Sequence, residues 1–206
     1  MNFKEKQTKT AAILLASTLV VVVLGGIGCL KLQTSAEQTE NVDATQILEN
    51  AKVSGLIMSD AEVAQMIESS KEPHATGEIE LPPLEVEELS DAEFTFHGAL
   101  ADVTGGASYG MAHLKFENQL FDLYAEIGNM PELEEGQFFE AWIVDRGENQ
   151  RVISLGEFTQ DERGNYFIAF RGGSMLMDYE FFVVTMEWGD DDTSAGLHIL
   201  EGEIKR

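Results

Sequence analysis

From residue 94 onward, apolar and polar positions alternate in short runs separated by glycine- and acid-rich turns. Phe94, Phe96, Gly98 and Leu100 interleave with Thr95, His97 and Ala99, the two-residue period of a strand with one face on a core. The same period predicts strands over 109–116 and 119–127, joined by the tight connection Glu117-Asn118. Residues 138–145 are apolar on both faces apart from Glu140 and the terminal Asp145, the pattern of a central strand covered on both sides. Four more strand signals follow at 151–158, 166–170, 179–187 and 197–203, with turn chemistry at 161–164, 172–173 and 189–192. About eight strands without a helix-period interruption predict an all-β domain over residues 91–206. Its expected form is an antiparallel, Ig-like β-sandwich of two sheets. Phe121, Phe139, Trp142, Phe158, Phe170 and Phe182 are its expected core.

Ahead of this domain the pattern changes twice. Residues 11–30 carry no charge and follow Lys4, Lys6 and Lys9, and a helix of that length at about 1.5 Å per residue spans a bilayer core. Residues 1–31 therefore read as a transmembrane anchor or signal segment, with the lysine bias placing the rest of the chain outside the cytoplasm. Gly26, Ile27, Gly28 and Cys29 are similar to a lipoprotein processing site, which makes Cys29 a lipidation candidate; retention as a single-pass anchor and cleavage to a secreted form are the other fates. Residues 32–90 are polar and acidic without an aromatic residue, a composition that predicts a largely disordered spacer. Within it Ser59 or Asp60, Glu62, Val63, Met66 and Ile67 carry the signals of one short helix, and Ile47, Leu48 and Ala51 those of a weaker one.

A family resemblance rests on particular strings: FFEAWIVD, then ISLGEF, Asp161 and Gly164, then FFVVTME, and finally LHILEG. Their order and spacing over about residues 120–202 resemble the extracytoplasmic carboxy-terminal domain of the anti-sigma-K factor family. That resemblance implies a sandwich placed outside the cytoplasm. Family members carry a cytoplasmic zinc-associated sigma-binding domain before the membrane helix, whereas ten residues precede the apolar run here. The fold and placement are therefore carried over, and the transcriptional role is not.

Charge narrows the partners. The chain carries a net charge of −24, and its positive end is the amino-terminal segment, so the domain repels phosphate backbones and favours cations and basic partners. No nucleic acid is expected as a ligand. Cys29 is the one cysteine, which rules out a disulfide within the chain.

Candidate chemistry is sparse. Gly106-Ala-Ser108-Tyr-Gly110 matches the G-x-S-x-G elbow, and Ser108, Asp191 and His198 occur in hydrolase order. The elbow needs a strand before it and a helix after it, and here a strand follows, so no catalytic residue is assigned. His74, His97, His113 and His198 show no metal-ligand spacing along the sequence; copper or zinc held by histidine with Met111 or Met186 is the alternative weighed. Glu187, Asp190, Asp191 and Asp192 gather oxygen ligands and are weak calcium candidates lacking the ordered loop motif. Glu132, Glu134 and Glu135 lie in a turn rather than across a cleft, and Phe138, Phe139 and Trp142 read as core before sugar platform. The sequence thus predicts a non-enzymatic, cofactor-free module that meets an extracytoplasmic protein or envelope partner. An envelope-sensing role in anti-sigma-type signalling, and a secreted metal-binding protein or hydrolase, are the alternatives.

Overall fold

Alternation is realised as nine strands: β1 (Phe96–Asp102), β2 (Tyr109–Glu117), β3 (Leu120–Gly128), β4 (Gln137–Asp145), β5 (Arg151–Glu157), β6 (Thr159–Gln160), β7 (Tyr166–Gly173), β8 (Phe181–Trp188) and β9 (Leu197–Glu203). Helices α1 (Ala44–Val53) and α2 (Asp60–Ser70) precede them. The computed structural model describes residues 43–71, 93–173, 176–189 and 192–205, all in the contact unit Asn41–Arg206. Residues 1–42, with the apolar run and Cys29, and residues 72–92, with His74, lie outside the described residues, as do Asp190 and Asp191. No helix among the described residues is long and apolar enough to cross a membrane.

The fold is mostly β and antiparallel, as the alternation predicts, but the strands expected to divide into two sheets form one. Their order is β5-β4-β8-β9-β1-β2-β3-β7-β6. Strand β1 makes the join, pairing with β2 on one side and β9 on the other. The join works because two glycines let the backbones come close. A Cβ on Gly202 would sit 2.3 Å from the Ala99 carbonyl oxygen, and one on Gly98 would sit 2.8 Å from that of Glu203. The sheet is also nearly closed. Its edge strands β5 and β6 are consecutive in the chain, separated by Phe158 alone, whose N–H donates to the Phe139 carbonyl at 2.9 Å.

Inside this curl lies one core. Phe121, Leu123, Phe139, Ile143, Phe182 and Leu200 are almost fully buried in it. Phe139 on β4 and Tyr166 on β7, distant in strand order, meet edge to face with centroids 5.1 Å apart. Phe158 and Phe182 join this core and Phe170 packs against it half-buried, as expected. Trp142 does not. Strand parity turns Phe139, Ala141 and Ile143 inward, while Trp142 and Val144 point to the opposite face.

That opposite face holds a second cluster, and it revises the reading of the spacer. Met58 and Met66 pack with Trp142, Val144, Val152, Phe181, Val183 and Ala195. Residues 43–71, expected to be largely disordered, are two helices, and α2 covers β4, β5 and β8. The expected helix starts at a capping box: the Ser59 hydroxyl accepts from the Glu62 N–H, and the Glu62 carboxylate accepts from the Ser59 N–H. Arg146 locks the start of α2 to the sheet. Its guanidinium donates to Glu62 Oε1 at 2.9 and 2.6 Å and to the Gly55 carbonyl at 2.9 Å, and stacks 4.5 Å from the Phe181 ring centroid. Burial pushes the Glu62 carboxyl up, but hydrogen bonds from Ser59 and Arg146 outweigh it and hold the group below its ordinary range. The doubly covered strand inferred for 138–145 is therefore observed, with a helix as one cover.

Candidate binding cleft beside the second helix

Beyond the C-terminal end of α2 the helix no longer covers the sheet, and a cleft of about 380 Å³ opens there. Ser70 of α2, Glu140 and Trp142 of β4, Val152 and Ser154 of β5, and Asp192 and Thr193 of the β8–β9 loop line it. Register brings the strand residues together: Glu140 is opposite Thr185 on β8 and Glu157 on β5, and Trp142 is opposite Ser154. Glu140, the one charge within β4 before its terminal Asp145, thus lines a part of that surface which the helix leaves open.

A chain of buried hydrogen bonds fixes the floor. The Trp142 indole N–H donates to the Thr185 hydroxyl at 2.8 Å, and that hydroxyl donates to Glu187 Oε1. The same oxygen accepts the Gly196 N–H at 2.8 Å. On the helix side, Ser70 Oγ accepts the Ala195 N–H at 2.7 Å and donates to the Ile67 carbonyl. The loop after Asp192 is therefore pinned to both the sheet and α2, which makes the cleft a preformed feature.

Carboxylates dominate its electrostatics, although Lys71, just past α2, acts on Asp192 at the rim. Burial pushes the Glu140 carboxyl above its ordinary value; the Ser154 hydroxyl, which donates to it, opposes this, and the neighbouring Glu187 and Glu157 add to it. Among the described residues, none of Glu140, Glu157 and Glu187 forms an ion pair. Asp192 accepts from the hydroxyl and N–H of Ser194, bonds that hold its carboxyl below the usual range. On the other side of Asp192 a smaller hollow of about 270 Å³ is rimmed by the exposed Trp188 and Leu197. A half-buried carboxylate, an indole wall and acidic neighbours together suit a cationic group and disfavour an anionic one.

The residues singled out from the sequence are placed elsewhere or in other roles. Ser108 is buried in the β1–β2 turn, its N–H donating to Asp102 Oδ2 at 2.9 Å and its hydroxyl to the Asn129 carbonyl at 3.1 Å. Strand β2 follows it, so the elbow's helix is not there. His198 is not directed to Ser108. Its Nδ1 lies 2.6 Å from Glu201 Oε1, while Glu201 Oε2 accepts the Met58 N–H at 2.6 Å. Of the calcium candidates, Glu187 is buried and turned toward Thr185 and Gly196, and Asp192 serves Ser194. Glu132, Glu134 and Glu135 are on the β3–β4 turn, and Phe139 is in the main core.

Two features escaped the sequence reading. Glu140 had a signal, because a charge in a strand apolar on both faces needs an explanation. His97 and His113 are directly opposed on β1 and β2, a pairing fixed by a register centred on Gly105, one residue past the centre of the 102–106 turn signal. The sequence matches no protein-family model and no curated protein.

Proposed function

We propose that this chain is a non-catalytic binding module, held at a membrane through residues 11–30 with its β domain outside the cytoplasm, and that the cleft beside α2 takes a basic side chain of an extracytoplasmic protein partner. The observation that carries this reading is the cleft itself: Glu140 and Trp142 share a preformed hollow in which, among the described residues, Glu140 meets no cation. The surplus of negative charge supports it, because a field of one sign steers a basic partner toward the surface and gives a salt-dependent association rate. The apolar run following three lysines supports the placement. We read the curled sheet as a sandwich-like body whose two halves, β5-β4-β8-β9 and β1-β2-β3-β7, flank the main core.

Titration of the full chain with lysine- and arginine-rich peptides, followed by tryptophan emission, tests the cleft. Binding is expected to weaken with salt and to fall about tenfold or more in Glu140→Gln, the loss of a charge-assisted contact of about 1.5–3 kcal/mol. Glu126→Gln, on β3, is expected to leave it unchanged. Equal affinity in Glu140→Gln and wild type overturns the assignment of the cleft. Protease treatment of intact cells tests the placement separately, and protection of the β domain there counts against it.

The motif order over residues 120–202 favours a second reading, an envelope sensor working with a separately encoded cytoplasmic partner in anti-sigma-type signalling. Deletion that leaves expression of envelope genes unchanged counts against that role.

A further inference from the structure

The β1–β2 hairpin brings two of the four histidines of this chain together on its outer face, away from the cleft. His97 is exposed and His113 half-buried, and their Nδ1 atoms are 2.8 Å apart. The rings meet edge to face with centroids 5.1 Å apart, and Phe94 lies against His113 at 5.4 Å. At that separation one imidazole donates its Nδ1–H and the other accepts it on its Nδ1 lone pair, so a metal reaches both nitrogens once that proton has moved to the donor ring's Nε2. Burial holds the His113 imidazole below its ordinary value and the charge of His97 adds to this, while Glu126 opposes it. The nearby charged groups are themselves engaged: Glu126 accepts from the Tyr124 hydroxyl at 2.5 Å, Lys115 pairs with Glu117 at 3.3 Å, and Lys205 pairs with Glu203.

We propose that His97 and His113 form a solvent-open site for a divalent transition metal of the copper(II) class. The argument is geometric. With metal–nitrogen bonds of about 2.0–2.1 Å, a nitrogen–nitrogen edge of 2.8 Å subtends roughly 85–90° at the metal, the angle between adjacent ligands in a square plane. A tetrahedral ion such as zinc needs an edge of about 3.3 Å. Binding shifts the donor ring to the tautomer protonated on Nε2, with solvent carrying the proton, and asks each ring for a part-turn about χ2, a torsion with a broad minimum. Among the described residues no group of three or more His, Cys, Asp or Glu is assembled for a metal, so the two imidazoles supply the protein's ligands and water the others. The exposed Met111 stands on the same face of β2, two residues before His113. Cross-strand pairing holds the two imidazoles without a loop, so the site is rigid in backbone and open to solvent.

Copper(II) titration of the full chain, read by electron paramagnetic resonance, tests this. The expected result is one axial signal per chain with hyperfine structure from two imidazole nitrogens, weakening in acid as protons compete for the ligands. His97→Ala and His113→Ala should each reduce affinity by at least about tenfold, since loss of a ligand costs no less than loss of a supporting contact. The double variant should abolish the two-nitrogen signal, and His74→Ala should leave it intact. Both histidines stand outside the two apolar clusters, and unchanged tryptophan emission verifies folding of the variants. A two-nitrogen signal that survives in the double variant, or a wild-type chain that shows none, overturns the site. Zinc displacing copper at equal concentration overturns the geometric argument.

Discussion

Met66→Ala measures whether α2 belongs to the folded domain. Met66 is fully buried among Met58, Trp142, Phe181 and Val183. Truncation removes the side chain beyond Cβ, a burial worth roughly 1.5–3 kcal/mol, and the cavity left behind brings the usual cost of such a change to about 2–5 kcal/mol. An eleven-residue helix is marginal in water on its own, so the loss falls first on the docking of α2 and only then on the sheet. At about 1.4 kcal/mol per tenfold, the lower end of that range, about 2 kcal/mol, already corresponds to roughly 30-fold less amide protection. Hydrogen exchange on the full chain is the assay. Amides of residues 61–70 are expected to exchange faster by that factor while those of β2 and β3 keep their protection, and Trp142 emission should shift to the red as its helix-covered side opens. Ile47→Ala, at a position 52% exposed on α1, should change neither. If α2 amides exchange equally fast in Met66→Ala and wild type, the helix is not held by this contact and the reasoning fails.

Three further outcomes follow from the same structure. Arg146→Ala should cost about 3 kcal/mol in denaturant unfolding, combining charged hydrogen bonds at about 1.5–3 kcal/mol with a cation–π contact of about 0.5–1 kcal/mol, and Arg146→Lys should recover less than half because a point charge cannot make the fork. Gly202→Ala should destabilise by about 1–3 kcal/mol, since its Cβ meets the Ala99 carbonyl and β9 must move off β1; unchanged stability would refute the close approach at that join. Stability should fall with acid in two stages. The depressed folded value of His113 makes unfolding take up a proton as pH drops below its ordinary 6.5, and that of Glu62 does the same below 4.5. Protonation of Glu140, whose folded value is raised, works in the opposite direction just above 4.5. Urea titrations across pH should show the first stage flattened in His113→Gln and the second in Glu62→Gln.

Local periodicity determined much of this protein by itself. The strands and the Ser59–Glu62 capping box are set by neighbours in sequence, and local sterics and hydrogen bonds suffice to specify them, while the β2–β3 turn falls at Asn118-Gln119, both at positive φ, one residue later than the expected Glu117-Asn118 connection. The opposition of His97 and His113, by contrast, needed the observed register, because a turn over 102–106 centres on Thr104 and would set His97 against Met111. What the tertiary structure decided is where each pattern meets its complement. Met66 carries a helix signal, yet nothing near it in sequence shows that Trp142, Val183 and Ala195 await it, so a polar stretch read as spacer becomes a cover for the sheet. Glu140 announces an exception in a buried strand, but only the point at which α2 ends turns it into the floor of a cleft. One sheet rather than two depends on Gly98 and Gly202 meeting the backbone opposite, and on a single residue, Phe158, linking the two edges. Burial is a property of pairs of surfaces, and a pattern along one chain fixes only half of each pair.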